Sequence, residues 1–360
     1  MIDKENLDRF CTWLSTQGAV VAPCQVAGFE RPKTGFSAET LMITVTDGAG
    51  VSREIIVRID RPGKALFLDA SIERQARMMQ GLVAHGAPVP AVLGWTDDIS
   101  ILGAPFLVME RAPGISLPQH PSYHVAGPLI DHDHAGRDRA WRSCLTTIAQ
   151  INRMDWRSDF AFLHDPSYGE AGLDHYLGWV RAWRDSVLDE HHPIIDPALD
   201  RLEANRPSDM PAELLWGDSN PGNFLFGPDG AVTAALDFEA AAIGPAEIDL
   251  AWWFVLDDML AAGNSLPEGM PDKAAQIAIY EAELGRPVRD LAYFELLGAV
   301  RMSLVMAASV RVGIRSGVLP PENRANIVNP VSLMLAEMID IDMADDLGDY
   351  MQMVTLMNER

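Results

Sequence analysis

The stretch Trp216-Gly217-Asp218-Ser219-Asn220-Pro221-Gly222-Asn223 sets a carboxylate and an amide five positions apart in a loop rich in glycine and proline. Further on, Leu236-Asp237-Phe238-Glu239 carries a second acid on a return strand, beside the start of the strand it pairs with. Phosphoryl transfer needs little covalent help. It needs a carboxylate to orient an attacking hydroxyl, and hard oxygen ligands to hold Mg²⁺ against the phosphates. A loop acid, a loop amide and a strand-end acid supply those groups.

Competing readings of the same residues are weaker. Gly217-Asp218-Ser219 echoes the start of certain lipases and esterases, but their serine needs a downstream histidine base, and no histidine follows His192. Asp131-His132-Asp133-His134 offers two histidines without a third ligand at motif spacing, which reads as a solvated loop. No GxxxxGK[ST] and no strand-borne GxGxxG is present, so the P-loop and Rossmann cradles for phosphate are missing.

The elements that position these groups follow from periodicity. An amphipathic helix is expected over residues 3–16, and a hairpin over 36–61, where LMITVTD and REIIVRI alternate around Asp47-Gly48-Ala49-Gly50. A helix follows over 71–85, with Ser71 as N-cap and Gly86 beyond its end, then a buried strand at Phe106-Leu107-Val108-Met109. Turn residues at Arg111-Ala112-Pro113-Gly114 mark a boundary, after which helical patterns dominate at 138–153, 173–190 and 291–313. One hairpin interrupts them, from Phe224 through Gly227-Pro228-Asp229-Gly230 to Phe238. The fold class is therefore α+β, with a β-rich N-lobe over 1–112 and a mainly helical C-lobe over 113–360.

At 360 residues the chain is too long for one compact core, which fits two lobes. A formal charge of −23 argues against nucleic acid or an anionic membrane as partner and favours a neutral or cationic small molecule. The three cysteines form no CxxC pair, and the opening MIDKENLDRFCTWL lacks the basic start and apolar run of a signal peptide. A cytoplasmic setting is the expectation. The apolar run from Leu296 to Val310 is interrupted by Arg301 and reads as a core helix. Nothing in the sequence fixes an oligomeric state.

WGDSNPGNFLF followed by ALDFEAAAIGPAEIDLAWW resembles the paired signatures of aminoglycoside phosphotransferases and choline-kinase-like enzymes. REIIVRIDRPG, SIERQ and ILGAPFLVMERAPG are similar to the kinase-like domain attached to some acyl-CoA dehydrogenases. The resemblance implies a protein-kinase-like two-lobed fold using ATP and Mg²⁺. It implies Asp218 as catalytic base, Asn223 and Asp237 as magnesium ligands, and Asp249 as a brace for the loop. On the nucleotide side it implies Arg58 in place of the usual phosphate-binding lysine, Glu73 as its helix partner, Gly35-Phe36-Ser37 as the nucleotide loop, and Glu110 and Ala112 as hinge backbone contacts. Glu239, two residues after Asp237, is a candidate for the acceptor side or a buried structural acid, and Trp216 replaces a buttressing histidine. The expected activity is phosphorylation of a small-molecule hydroxyl, on a hydroxy acid or hydroxyacyl-CoA. The alternatives are an aminoglycoside or amino-alcohol acceptor, or a nucleotide-binding module with weak turnover.

Overall fold

In the computed structural model the described residues are 3–31, 38–60, 63, 65–119, 121–261 and 263–358. Helix α1 (Lys4–Thr16) starts at Asp3, whose carboxylate accepts from the Asn6 amide while the Asn6 side chain bonds back to Asp3. Strands β1 (Gln25–Glu30), β2 (Ala38–Thr46) and β3 (Ser52–Asp60) follow, then helix α2 (Ile72–Ala84), capped by Ser71 as its sequence predicts. Strand β4 (Val92–Thr96), a short α3 (Ile99–Leu102) and β5 (Phe106–Glu110) complete the first part. The strands form an antiparallel sheet in the order β1-β2-β3-β5-β4.

Alternation along β3 decides which residues reach the site. Ile55, Val57 and Ile59 are fully buried against Phe10 and Leu14 of α1. Arg58 must therefore point from the opposite face, above α2. The β2–β3 turn closes on Asp47, whose carboxylate accepts from the Ala49 and Val51 amides.

After β6 (Ile115–Ser116) the chain is mainly helical: α4 (Pro128–Asp131), α5 (His134–Asn152), α6 (Trp156–Asp159), α7 (Leu173–Val187) and α8 (Ile195–Ala204). Strands β7 (Glu213–Leu215), β8 (Phe224–Phe226), β9 (Val232–Ala235) and β10 (Ala242–Gly244) form the β island. It contains two small sheets, β6-β8-β9 and β10-β7. Helices α9 (Glu247–Ala261), α10 (Lys273–Leu284), α11 (Leu291–Arg315), α12 (Pro330–Met338) and α13 (Gly348–Asn358) close the chain. By length and composition α11 could cross a membrane, but 67% of its most apolar window is buried, and it packs on α7, α8, α9 and α12 as a core helix.

Polar contacts tie the two parts together. Arg74 of α2 donates to the Leu163 and Ala241 carbonyls at 3.4 and 3.1 Å, and Trp183 of α7 donates to the Leu66 carbonyl at 2.9 Å. The cleft between them therefore has a fixed floor.

Candidate active site

The loop between β7 and β8 is held by one buried carboxylate. Asp249, in the first turn of α9, accepts from the Trp216 amide and the Gly217 amide, each at 2.8 Å, and from Asn152 Nδ2 at 2.7 Å. Burial raises its proton affinity, and these three donors oppose that shift by favouring the anion. Gly217 has φ +87°, and a β-carbon there would lie 1.9 Å from the Ala240 carbonyl oxygen, so no other residue fits. Ser219 is fully buried and donates its hydroxyl to the Asp249 carbonyl at 2.8 Å. It is a structural serine with no path to a substrate, which removes the hydrolase reading.

Trp216 packs its ring between Phe224, edge-on at 4.9 Å, and Phe238, stacked at 5.3 Å. Its Nε1–H donates to the carbonyls of Leu236 and Asp237 at 3.1 and 2.9 Å. An indole thus joins the base loop to the second acid through one donor and a large apolar surface.

The loop so fixed presents Asp218. Its Oδ2 accepts from Asn223 Nδ2 at 2.7 Å, and its Oδ1 accepts from Trp252 Nε1 at 2.8 Å and Asn220 Nδ2 at 3.1 Å. Burial, followed by the nearby charge of Asp237, pushes the Asp218 carboxyl up to about 7. Asn223 spends its Nδ2 on Asp218, which leaves its Oδ1 as the atom able to bind a cation. The Leu236 amide donates to the Asn223 carbonyl at 2.9 Å, so the amide and the second acid lie side by side.

Asp237 lies just beyond the end of β9, not within it, at φ +62°. A non-glycine residue in this left-handed region is uncommon and persists where its surroundings over-determine it. Here the Trp216 bonds to the carbonyls on either side of the Asp237 α-carbon do so. Asp237 Oδ1 is buried without a hydrogen-bond partner, and Oδ2 faces Arg58 Nη1 at 3.2 Å. A buried carboxylate oxygen without a hydrogen-bond partner, together with the side-chain oxygen of Asn223 just before the neighbouring strand, is the donor type that Mg²⁺ uses alongside phosphate oxygens. The residues present fit the metal.

On the opposite wall Arg58 meets Asp237 and, at 3.9 Å through Nη2, Glu239. Burial works against the guanidinium charge, but the two acids outweigh it and hold Arg58 above its ordinary range. The expected Arg58–Glu73 pair does not form. Glu73 is exposed and bonds Arg77 one turn along at 3.4 Å, while Gln75 is a polar α2 residue buried beside Arg58. Two positions on a helix are about 200° apart, so Glu73 and Gln75 face opposite ways. Glu239, expected on the acceptor side, instead lines the Arg58 cleft with Ser71 and Gln75. The left-handed turn at Asp237 redirects the chain there.

A family model described as "Phosphotransferase enzyme family" matches residues 28–291, which include every element of this site up to the start of α11. The chain belongs to the phosphotransferase enzyme family. Acyl-CoA dehydrogenase family member 10 of Mus musculus is 30% identical over 235 residues, covering 64% of this chain but 20% of that protein. Family member 11 of Rattus norvegicus is 28% identical over 251 residues, covering 64% and 30%. The chain thus spans less than a third of the length of these curated relatives. Among solved structures, a Ralstonia eutropha protein assigned to the aminoglycoside phosphotransferases has a TM-score of 0.68 at 21% identity, over 94% of this chain and 99% of that one. The macrolide 2′-phosphotransferase of Brachybacterium faecium has a TM-score of 0.53 at 17% identity, over 94% and 100%. Both share the two-lobed protein-kinase-like fold.

In this phosphotransferase Glu110 ends β5 opposite Ile55, and its amide donates to the Ala91 carbonyl at 2.9 Å, which leaves its carbonyl as the group able to meet a nucleotide. Ala112 lies in the connection to β6. Gly35, Phe36 and Ser37 lie outside the described residues, as do Lys33 and Lys64. Sequence reasoning missed Trp252, Asn152 and Gln75. Gln75 had a signal: it sits on the stripe Ile72, Ala76, Met79 that faces the core, where a polar residue needs a reason.

Proposed function

We propose that this phosphotransferase moves the γ-phosphoryl group of ATP to a hydroxyl of a small molecule. The observation that carries the reading is the convergence of Asp218, Asn223 and Asp237 in one hydrogen-bonded unit, locked from behind by Asp249 and Trp216. Asp218 orients the acceptor hydroxyl in line with the phosphoryl group and takes up its proton at a carboxylate oxygen as the new P–O bond forms. Asn223 and Asp237 would hold Mg²⁺, whose charge neutralises the phosphates and offsets the repulsion that Asp237 exerts on Asp218. Arg58 binds the phosphates from above, exchanging its bond to Asp237 for a bidentate one to an oxyanion. The carbonyl of Glu110 and the backbone of Ala112 would receive the base of the nucleotide.

The curated relatives, which carry acyl-CoA dehydrogenase names, support a hydroxy acid or hydroxyacyl thioester as acceptor. The net charge of −23 favours a second class, amino alcohols and aminoglycosides. ADP release from Mg·ATP across a panel of hydroxy acids, their thioesters, amino alcohols and aminoglycosides decides between them. No acceptor-dependent release, together with retained nucleotide binding, would reduce the chain to a binding module. Mg·ATP should also raise the melting temperature, since a ligand of the folded state stabilises it, and Asp237→Asn should lose most of the magnesium-dependent part. An unchanged shift in that variant places the metal elsewhere.

A further inference from the structure

Arg301 stands midway along α11 and is wholly buried. A guanidinium has five N–H donors to satisfy. Its Nη2 donates to the Gly217 carbonyl, but Nε and Nη1 find no hydrogen-bond partner, and no carboxylate pairs with it among the described residues. Stability gives little reason for such a residue, because an apolar side chain of similar volume avoids the desolvation of an unpaired charge. The guanidinium touches the Gly217 carbonyl and two rings, that of Tyr176, 5.7 Å from its centroid, and that of Trp252. Its Cζ lies 4.1 Å from the centroid of the Trp252 ring, and the same indole donates Nε1–H to Asp218 Oδ1 at 2.8 Å.

These contacts form one chain from α11 through α9 to the loop. A cation over an indole face draws electron density out of the ring and makes its N–H a stronger donor. The same cation pins the Gly217 carbonyl, one residue before Asp218, and its field reaches both Asp218 and Asp249. The indole bond fixes the rotation of the Asp218 carboxylate from the side opposite Asn223.

We propose that Arg301 and Trp252 are a positioning pair for Asp218, in which Arg301 polarises the Trp252 N–H and anchors the loop while Trp252 sets the carboxylate's orientation. The inference rests on Asp218 being the base. Neither residue contacts substrate in this scheme, and both act through Asp218.

The test measures ADP release from Mg·ATP with water as acceptor, and nucleotide binding from the thermal shift with Mg·ADP. The variants are Trp252→Phe, Arg301→Met, their double mutant and Arg301→Lys, with Asp218→Ala as control. Trp252→Phe and Arg301→Met should each lower kcat about 10- to 100-fold while KM for ATP stays within about two-fold. The double mutant should lose clearly less than the product of the two single losses, because the contact of Arg301 with the indole acts through the same bond to Asp218 that Trp252→Phe removes. Arg301→Lys, which keeps the charge, should recover part of the loss. Should Arg301→Met fail to fold, Arg301→Lys and Trp252→Phe carry the test through a second readout. The indole N–H resonance that vanishes in Trp252→Phe should move in Arg301→Lys, as a weakened donor bond requires.

Wild-type kcat in both Trp252→Phe and Arg301→Lys, with Asp218→Ala inactive, overturns the positioning pair and spares the base. Losses that multiply in the double mutant also overturn it. Undiminished turnover in Asp218→Ala removes the base assignment itself, and the pair with it.

Discussion

The two walls of the cleft are built differently. On the base side, Asp249, Trp216, Asn220 and Ser219 hold residues 216–223 with hydrogen bonds and Asp218 accepts three of its own, while the unbonded donors lie behind the loop, on Arg301. On the phosphate side, Arg58 Nε and Gln75 Oε1 are buried without a hydrogen-bond partner, as is Asp237 Oδ1 facing them. Buried polar atoms in a folded protein are nearly always bonded, and the exceptions call for an explanation. A magnesium nucleotide would supply one for two of them, its phosphate oxygens accepting from Arg58 and its cation binding Asp237 Oδ1. The contrast separates a wall organised before substrate arrives from a wall completed by substrate.

That contrast is broken most directly at its two acids. Asp218→Ala and Asp237→Ala should each lower acceptor-dependent ADP production by about 10³-fold or more, the scale on which a positioned base or metal contact acts. Their melting temperatures should fall only modestly, because relief of the repulsion between the two acids offsets part of what is lost with the hydrogen bonds that Asp218 accepts and the ion pair of Asp237 with Arg58. Turnover near wild type in either variant means that the chemistry is done elsewhere.

Much of the base side was legible in the sequence, and for a physical reason. Its geometry is made by short-range chemistry: a glycine that alone tolerates φ +87°, an Asx-type loop, and a hairpin with a strong turn signal. The phosphate side depends on which face of α2 meets the sheet and on where the chain turns after Asp237. Both are tertiary outcomes. Strands β1 and β4 escaped the sequence reading in the same way. β1 is largely exposed with no alternation, and β4 is half-buried throughout, so neither carries a period-2 pattern, and sheet pairing alone defines them.

A smaller effect is expected at Arg58, where the walls meet. Arg58→Ala removes a phosphate contact and should lower kcat/KM for ATP by about 100-fold, as the loss of a charge-assisted bidentate bond implies. The cost to folding is harder to see, because Asp237 and Glu239 would lose a shared counter-charge. The melting temperature in Mg·ATP, compared with that of the free protein, separates the two contributions. Arg58→Lys keeps the charge with a shorter reach and one fewer planar contact, and should retain intermediate efficiency. A loss of less than a few-fold in Arg58→Ala would show that another cation anchors the phosphates.

The smallest effects discriminate between two residues of one helix. Glu73 is exposed and pairs only with Arg77 among the ion pairs described, an i,i+4 contact worth a few tenths of a kcal/mol at a solvated surface. Glu73→Ala should therefore leave kcat/KM for ATP within about two-fold and the melting temperature nearly unchanged. Gln75 sits on the other face, against the cleft that Arg58, Ser71 and Glu239 line, with its Oε1 unbonded. Gln75→Leu keeps the approximate volume and removes the polar atoms, so the free protein should be as stable or slightly more stable, since an unsatisfied buried oxygen is lost. If that oxygen is completed by the nucleotide complex, the same variant should raise KM for ATP about three- to ten-fold, the equivalent of one modest hydrogen bond. The opposite pattern, a silent Gln75→Leu and a damaging Glu73→Ala, would mean that α2 rotates toward the sheet when ATP binds and brings Glu73 to Arg58. The helix would then be a moving part of the phosphate wall.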